Sequence, residues 1–426
     1  MKVYKFGGAS VRDAEGIKNI ARIVLKEKSD LVIVVSAFGK TTNALEKVLK
    51  LWLARDYEYK NHLEAVYNYH SGVADDLFHD VDLVKSKIDD SFTFLKEYLR
   101  SAKPGEYDYE YDRIVSNGEI WSTIIVAEFL KNTGLDLEWI DIRKSLVTDD
   151  RFRDANIIWD ESQKRINKVF DFTLHKFYLT QGFIGSTISG ESTTLGREGS
   201  DYTAAILANI LDAESVTVWK DVPGLLNADP KWLHDAEKLD EVSYREAVEM
   251  TFSGAKVIHP KTIKPLQNKN IPLFVKSFVN PEKEGTLVTE EPNLKKIIPV
   301  FVRKENQVLL SLLPKDFSFV MGDNLSSMFQ AFIQHGIKVN LVDASAVSIN
   351  VCVDDERSKI VNLLNDLKEE YLAVYNEDVV MLSVRHYTPA SIERITAGHE
   401  ILLEQRSRSM VRFVVRPIAS LGLCRD

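Results

Sequence analysis

The chain has 426 residues and a formal net charge of −9, with 45% hydrophobic and 27% charged residues, an ordinary composition for a soluble globular protein of two or three domains. Its dispersed charge lacks the basic footprint of a nucleic-acid or anionic-membrane binder, and no apolar run approaches the roughly 20 residues of a membrane helix. Two cysteines, Cys352 and Cys424, are too few for a disulfide framework and lack metal-ligand spacing. A small-molecule ligand is expected, with no nucleic acid and no membrane, and any anion among its ligands must be held by a local group of cations. The start, Met1-Lys2-Val3-Tyr4-Lys5, shows no signal-peptide stretch, so a cytoplasmic location is expected.

Residues 2–6 read as a strand broken by Gly7-Gly8, and Ile17, Ile20, Ala21 and Val24 follow at helical spacing. Leu31–Val35 is a continuous apolar run of the kind buried on both faces of a parallel sheet. Residues 44–100 read as mostly helical, 114–130 as a helix ended near Gly134, and 139–142 as a strand. Strand-like runs return at 177–184, 215–219 and 271–278, with helices at 202–212 and 243–250. The alternation predicts a mainly parallel sheet sandwiched by helices over residues 1–292.

Beyond Pro299 the texture changes. A strand at 308–313 precedes a helical face of Leu325, Met328, Phe329, Phe332 and Ile333, a strand at 338–342, an alternating strand over 347–353 and a helix carrying Ile360, Leu363, Leu364 and Leu367. This βαββαβ pattern predicts an α+β domain over 299–376. A shorter repeat over 377–426 has a strand at 379–384, a brief helix near Ile392 and strands near 401–404 and 411–415.

Four stretches carry chemistry. Lys5-Phe6-Gly7-Gly8-Ala9-Ser10 lies where a first strand meets a first helix; glycine lets backbone N–H groups approach phosphate oxygens, and Lys5 adds a full charge there. Gly39-Lys40-Thr41 mimics the end of a Walker A loop, but that pattern needs glycine at position 34, which is Val34. In Leu195-Gly196-Arg197-Glu198-Gly199-Ser200-Asp201 an arginine suited to a carboxylate sits at a helix start, where Ser200 or Asp201 could equally be an N-cap. Trp219-Lys220-Asp221-Val222-Pro223-Gly224 ends a strand, the position at which open α/β sheets bind nucleotides. Ser253-Gly254-Ala255-Lys256 adds a lysine, and His259, before Pro260, reads as structural.

Together these motifs resemble the aspartokinases of the amino acid kinase family. The matching stretches are KFGGASV (5–11), VVSAFGKTTN (34–43), SNGEIWST (116–123), TTLGREGSDYTAA (193–205), WKDVPG (219–224) and SGAKVIHPKTI (253–263). The region after 300 resembles the paired ACT domains that bind effector amino acids in that family, complete over 299–376 and shortened over 377–426. The resemblance implies a kinase that converts ATP and L-aspartate to ADP and L-aspartyl 4-phosphate, the first step towards lysine, threonine and methionine.

It also implies roles for individual residues. Lys5 would neutralise the phosphoryl group in flight, Gly7 and Gly8 would lend amides, and Asp201 would orient Lys5. Ser36, Thr42 and Ser200 would line the aspartate pocket, with Glu119 taking the ammonium and Arg197 the α-carboxylate. ATP would lie against Lys220, Asp221, Leu226, Lys231 and Lys256, with Mg2+ bridging its phosphates through the nucleotide rather than through a protein metal site. Asn340, Asp343 and Ser345 would bind the effector, lysine or alternatively threonine, and the ACT region would form a homodimer or higher homo-oligomer.

Five positions depart from the family pattern: Ala9 stands for threonine, Glu198 for glycine, Lys220 for threonine, Leu226 for tyrosine and Lys231 for arginine. Glu198 must then point away from any phosphate. Two other readings are an impaired kinase-like subunit that senses an amino acid, and a kinase of the same fold acting on glutamate, acetylglutamate or a nucleotide.

Overall fold

The computed structural model describes residues 1–255, 258–293, 297–316, 318–320 and 323–418. The chain divides into two units. The first comprises Met1–Leu225, Lys238–Val248 and Val257–Asn293, and the second Leu226–Glu237, Glu249–Lys256 and Leu294–Asp426.

In chain order the first part runs β1 (Lys2–Phe6), α1 (Ala14–Val24), β2 (Leu31–Val35), α2 (Thr41–Leu53), α3 (Tyr59–Leu77), α4 (Asp82–Ser101), α5 (Tyr107–Asn132), β3 (Leu137–Ile140) and β4 (Val147–Thr148). It continues through α6 (Trp159–Val169), β5 (Phe177–Gln181), β6 (Ile184–Thr187), β7 (Ser192–Thr194), α7 (Gly199–Ile210) and β8 (Ser215–Lys220). Then follow β9 (Glu241–Ser243), α8 (Tyr244–Phe252), α9 (Pro260–Asn268), β10 (Leu273–Ser277) and β11 (Thr286–Thr289).

Eight strands form one sheet in the order β3-β5-β2-β1-β8-β10-β11-β9, in which only the β10–β11 pair is antiparallel. Every residue of β2 is buried, as its unbroken apolar run requires. Because β1, β2 and β8 are parallel and in register, with Phe6 beside both Val35 and Trp219, their carboxyl ends lie along one edge of the sheet. That edge is where a ligand can reach backbone and helix starts together. The strand expected over 177–184 is two strands, since Phe183 takes a left-handed φ of 73° and turns the chain.

The second unit is built on β12 (Val300–Pro314), α10 (Asp323–Gln334), β13 (Val339–Ala344), β14 (Ile349–Asp354), α11 (Arg357–Leu367), β15 (Tyr371–Arg385), α12 (Pro389–Thr396), β16 (His399–Arg406) and β17 (Met410–Pro417). Its sheet, in the order β13-β14-β12-β15-β17-β16, is antiparallel throughout. Val308, Leu310 and Leu312 pack with Met328 and Phe332 of α10 and with Ile360 and Leu363 of α11, making a first lobe. Ile333, placed on the same apolar face by its spacing, is 75% exposed.

A second lobe packs Leu382, Val384 and Phe413 with Ile395 of α12. Its fourth strand comes from upstream: Val300–Lys304 pairs with Met381–Arg385, so β12 serves both lobes, with a register shift after Lys304 where Asn306 adopts φ 54°. Trp232, Leu233 and Ala236 close this lobe's core, a contribution outside the 377–426 span read from the sequence.

Candidate active site

The turn after β1 sets the geometry. The Ser10 N–H donates to the Gly7 carbonyl at 2.9 Å, and the Gly39 N–H to the Gly8 carbonyl at 3.0 Å, so the glycine pair is clamped to the loop after β2. A Cβ on Gly8 would lie 2.8 Å from the Ala37 carbonyl oxygen and 3.0 Å from that of Gly39, and backbone on both sides cannot yield. We therefore expect Gly8→Ala to lower the activity of this site at least about tenfold, because shifts of about 1 Å in a site cost up to 10² in rate. Comparing turnover at saturating substrates with a thermal melt separates that loss from unfolding.

Lys5 is buried on β1, its Nζ 3.5 Å from where a Gly7 Cβ would be, and so sits over the turn. Its ammonium pairs with Asp201 Oδ1 at 2.5 Å, while the Lys220 ammonium lies 3.6 Å from Asp201 Oδ2. Burial alone would raise the Asp201 carboxyl, but the two lysines outweigh it and hold it below the usual carboxylate range. Asp201 lies in the first turn of α7 and is not its N-cap; neither is Ser200. The cap is Glu198, at φ 55°, without a side-chain bond. The Glu198 carboxylate instead accepts from the His259 N–H at 2.8 Å, which tethers its charge to the start of α9.

Glu119 sits midway along α5, fully surrounded. Burial pushes its carboxyl up to about 8, although the Ala37 N–H and the Lys5 charge pull the other way. Its Oε2 has no hydrogen-bond partner among the described residues. Arg197 is exposed on the loop before α7. Lys5, Glu119 and Arg197 all line one cavity of about 920 Å³, with Gly7, Gly8, Ser36, Thr42, Ser200, Asp201, Lys220 and Asp221. A buried acid, an exposed guanidinium and a lysine pair therefore share one space.

Leu226 and Lys231 do not line this cavity. They belong to the second unit, where the neighbouring Trp232 and Leu233 are held in the apolar core and Lys231 is exposed. Lys256 lies outside the described residues, as does Cys424. The three residues assigned to an effector are not gathered by any side-chain contact. Asn340 is buried, its amide donating to Gln307 Oε1 at 2.8 Å and Asp354 Oδ1 at 2.9 Å while its oxygen accepts from Lys304 at 2.8 Å. Asp343 accepts from Asn350 at 3.3 Å, and Ser345 pairs with Ser348 at 2.7 Å. Asn340 is thus occupied as a structural group in the sheet.

The cavity also takes residues that the motifs did not mark, Tyr111, Arg153, Asp154 and Phe183, and two from the 253–263 stretch, His259, which was read as structural, and Lys261. Asp112 explains how the Arg153 loop reaches it. This buried carboxylate accepts from the Arg153 N–H at 2.9 Å, the Thr194 N–H at 2.8 Å and the Thr194 hydroxyl at 2.6 Å. Burial pushes it up to about 6 against those three bonds. Asp112 lies seven residues before Glu119 on α5, hence on the same helix face.

Among the described residues no group of three or more His, Cys, Asp or Glu side chains could hold a metal. Asp201, the most buried acid near the glycine turn besides Glu119, is committed to two ammonium groups. The donor set fits a divalent ion carried in on nucleotide phosphates, as the resemblance implies, with Asp221 among the carboxylates of the cavity wall.

Residues 1–277 match the amino acid kinase family. The lysine-sensitive aspartokinase 3 of Escherichia coli is 33% identical over 353 residues, covering 83% of this chain and 78% of the relative. The chain belongs to the amino acid kinase family. Within it the likeness is to aspartokinases. A bifunctional aspartokinase/homoserine dehydrogenase 2 of Arabidopsis thaliana chloroplasts is 33% identical over 362 residues, 82% of this chain, of which this chain spans only about two fifths (39%). E. coli aspartokinase III in complex with aspartate and ADP (R-state) superposes with a TM-score of 0.83 at 29% identity, covering 98% of this chain and 96% of that one. The same enzyme in complex with lysine and aspartate (T-state) gives 0.81.

Proposed function

We propose that this chain transfers the γ-phosphoryl group of ATP to the side-chain carboxylate of L-aspartate, yielding ADP and L-aspartyl 4-phosphate, the entry to lysine, threonine and methionine synthesis. The observation that carries this reading is the shared cavity of Lys5, Glu119, Arg197 and Asp201. Glu119 takes the ammonium of the acceptor and Arg197 its α-carboxylate, with Ser36, Thr42 and Ser200 around it, which leaves the side-chain carboxylate facing Lys5. A carboxylate oxygen forms the bond to the γ-phosphorus while the bond to the bridging oxygen breaks, and the electron pair leaves on ADP. No proton moves, so no general base is needed; positioning and charge neutralisation are the whole task. When bound with the nucleotide, Mg2+ supplies further neutralisation of the phosphate charge.

Purified protein with MgATP and aspartate should form a product trapped as the hydroxamate. Binding of aspartate without turnover would replace this reading with an amino-acid sensor, and turnover only with another acceptor would move the substrate.

The second unit is read as a pair of ACT-like lobes through which lysine inhibits, supported by the lysine sensitivity named for the E. coli relative. Lysine titrated into the assay should lower the rate; unchanged rates with both lysine and threonine would discard this control. We read the chain as cytoplasmic, in keeping with the absence, among the described residues, of any helix long and apolar enough to cross a membrane. A homodimer is supported by residues 371–376 of β15, which pair with β12 on one side and with no strand on the other among the described residues. Leu372, Val374 and Tyr375 there are 50–56% exposed, an edge that a second copy can cover.

A further inference from the structure

We propose that Lys220 is a second catalytic cation, which contacts the phosphoryl group in flight together with Lys5, both ammonium groups being positioned by the two oxygens of Asp201. The inference deepens the phosphotransfer reading of the cavity and rests on it.

Strand register carries the argument first. Phe6 is beside Trp219 on adjacent parallel strands, so the next residues, Gly7 and Lys220, stand side by side at the carboxyl edge. Gly7 belongs to the turn that accommodates phosphate, and Lys5 Nζ lies over it. Lys220 is fixed at its backbone, since its carbonyl accepts from the Phe278 N–H at 2.7 Å, and only its side chain can adjust.

Charge supplies the second step. Asp201 neutralises one of the two ammonium groups it touches, at 2.5 Å and 3.6 Å, so the trio carries a net positive charge in a cavity that lies in an acidic protein. An ammonium has three protons, and each lysine can keep Asp201 while offering another proton to a phosphoryl oxygen. The Lys220 side chain is 24% exposed towards the cavity it lines, against 3% for Asp201, so an incoming group meets the lysine and not the acid. Threonine, the residue usual at this position in the resembling family, could not supply this charge.

The step balances without a proton. As the acceptor oxygen bonds to phosphorus and the bridging oxygen leaves with its electron pair on ADP, the phosphoryl group passes between two anionic oxygens with its charge spread over three equatorial oxygens, which the two ammonium groups meet. Both lysines remain ammonium groups throughout.

The test uses the full chain with Lys220→Met and Lys220→Arg. We expect K220M to lower kcat about 10²-fold, the usual loss for one preorganised donor, with the aspartate KM within about twofold. K220R should recover most of that loss. A second readout does not depend on the acceptor: binding of ADP with aluminium fluoride, which mimics the transferring group, should weaken about 10²-fold in K220M while ADP alone binds within a few-fold. Equal weakening of ADP with and without aluminium fluoride would make Lys220 a ground-state nucleotide contact and overturn the proposal. So would a K220M protein that retains wild-type kcat. Failure of the wild type to phosphorylate aspartate would instead overturn the acceptor assignment, leaving the aluminium fluoride comparison to decide on Lys220.

Discussion

Lys5→Met should lower the turnover number for aspartyl phosphate formation about 10³-fold while leaving aspartate binding nearly unchanged, the upper end of what one preorganised charge supplies. The lysine ammonium is buried against Asp201 beside the glycine turn, where fixed charge acts in a low dielectric and needs no reorganisation as the phosphoryl group moves. Methionine keeps the length and removes the charge. Asp201→Asn should cost more than about 10² in rate and also lower the melting temperature, because two ammonium groups would then face each other without a counter-ion; breaking a buried pair typically costs about 3–5 kcal/mol. The double variant should be little slower than Lys5→Met alone, since groups acting as a unit are not additive. The sign with pH follows from the lowered Asp201 carboxyl. Its stabilisation is fully present above the unfolded carboxylate value of about 3.9 and is lost as pH falls through its folded value. Hydroxamate formation and thermal melts measure both effects, and a Lys5→Met protein within tenfold of wild type would remove this lysine from the reacting centre.

Glu119→Gln should raise the aspartate KM about 10–10²-fold at pH 8, the range expected for losing a hydrogen bond to a charged group. The more diagnostic effect is on its pH dependence. With its carboxyl near 8 in the free protein, Glu119 holds a proton at pH 7, and an arriving ammonium must displace it. The wild-type KM should therefore fall about 50-fold between pH 6 and pH 8 and level off above, until the substrate's own ammonium begins to deprotonate. The glutamine variant should be flat across that range. Stability runs the opposite way. A carboxyl raised on folding favours the native state fully below its unfolded value, and this contribution disappears as pH rises through about 8. Glu119→Gln should thus melt higher than wild type at alkaline pH while binding substrate worse. KM profiles and melts at several pH values test both, and parallel KM profiles for the two proteins would show that Glu119 does not meet the ammonium.

Strand β2 was legible because a buried parallel strand needs an unbroken apolar run, and β1, β8 and β10 were legible as short strand-like runs between helices. Helix α7 was legible from its glycine-flanked start, although reading Ser200 or Asp201 as its cap missed that the turn places Glu198 there in a left-handed conformation. The first half of β12 was not legible. The expected strand began only at Val308; Arg303, Lys304 and Glu305 break any apolar pattern before it, and what makes the segment a strand is pairing with residues 381–385, far along the chain. The cavity divides the same way. Lys5, Glu119 and Arg197 announced themselves within glycine-rich or recognisable stretches. Arg153 lies in a polar loop that nothing local distinguishes, and it reaches the wall because Asp112, on another element, anchors its backbone. Glu198 does not turn away from the site as expected: it lines the cavity, with one carboxylate oxygen held by a backbone donor, the His259 N–H, which no sequence spacing reveals.

Because β12 threads both halves of the second unit's sheet, these halves cannot be inherited or exchanged as separate cassettes. A recombination that moved residues 307–376 alone, or 377–418 alone, would strand the Val300–Lys304 segment on the wrong side of the junction. A cut or insertion at the exposed Glu305-Asn306 pair would injure both halves together. Natural variation in this unit should accordingly arise by point substitution rather than by shuffling of a lobe.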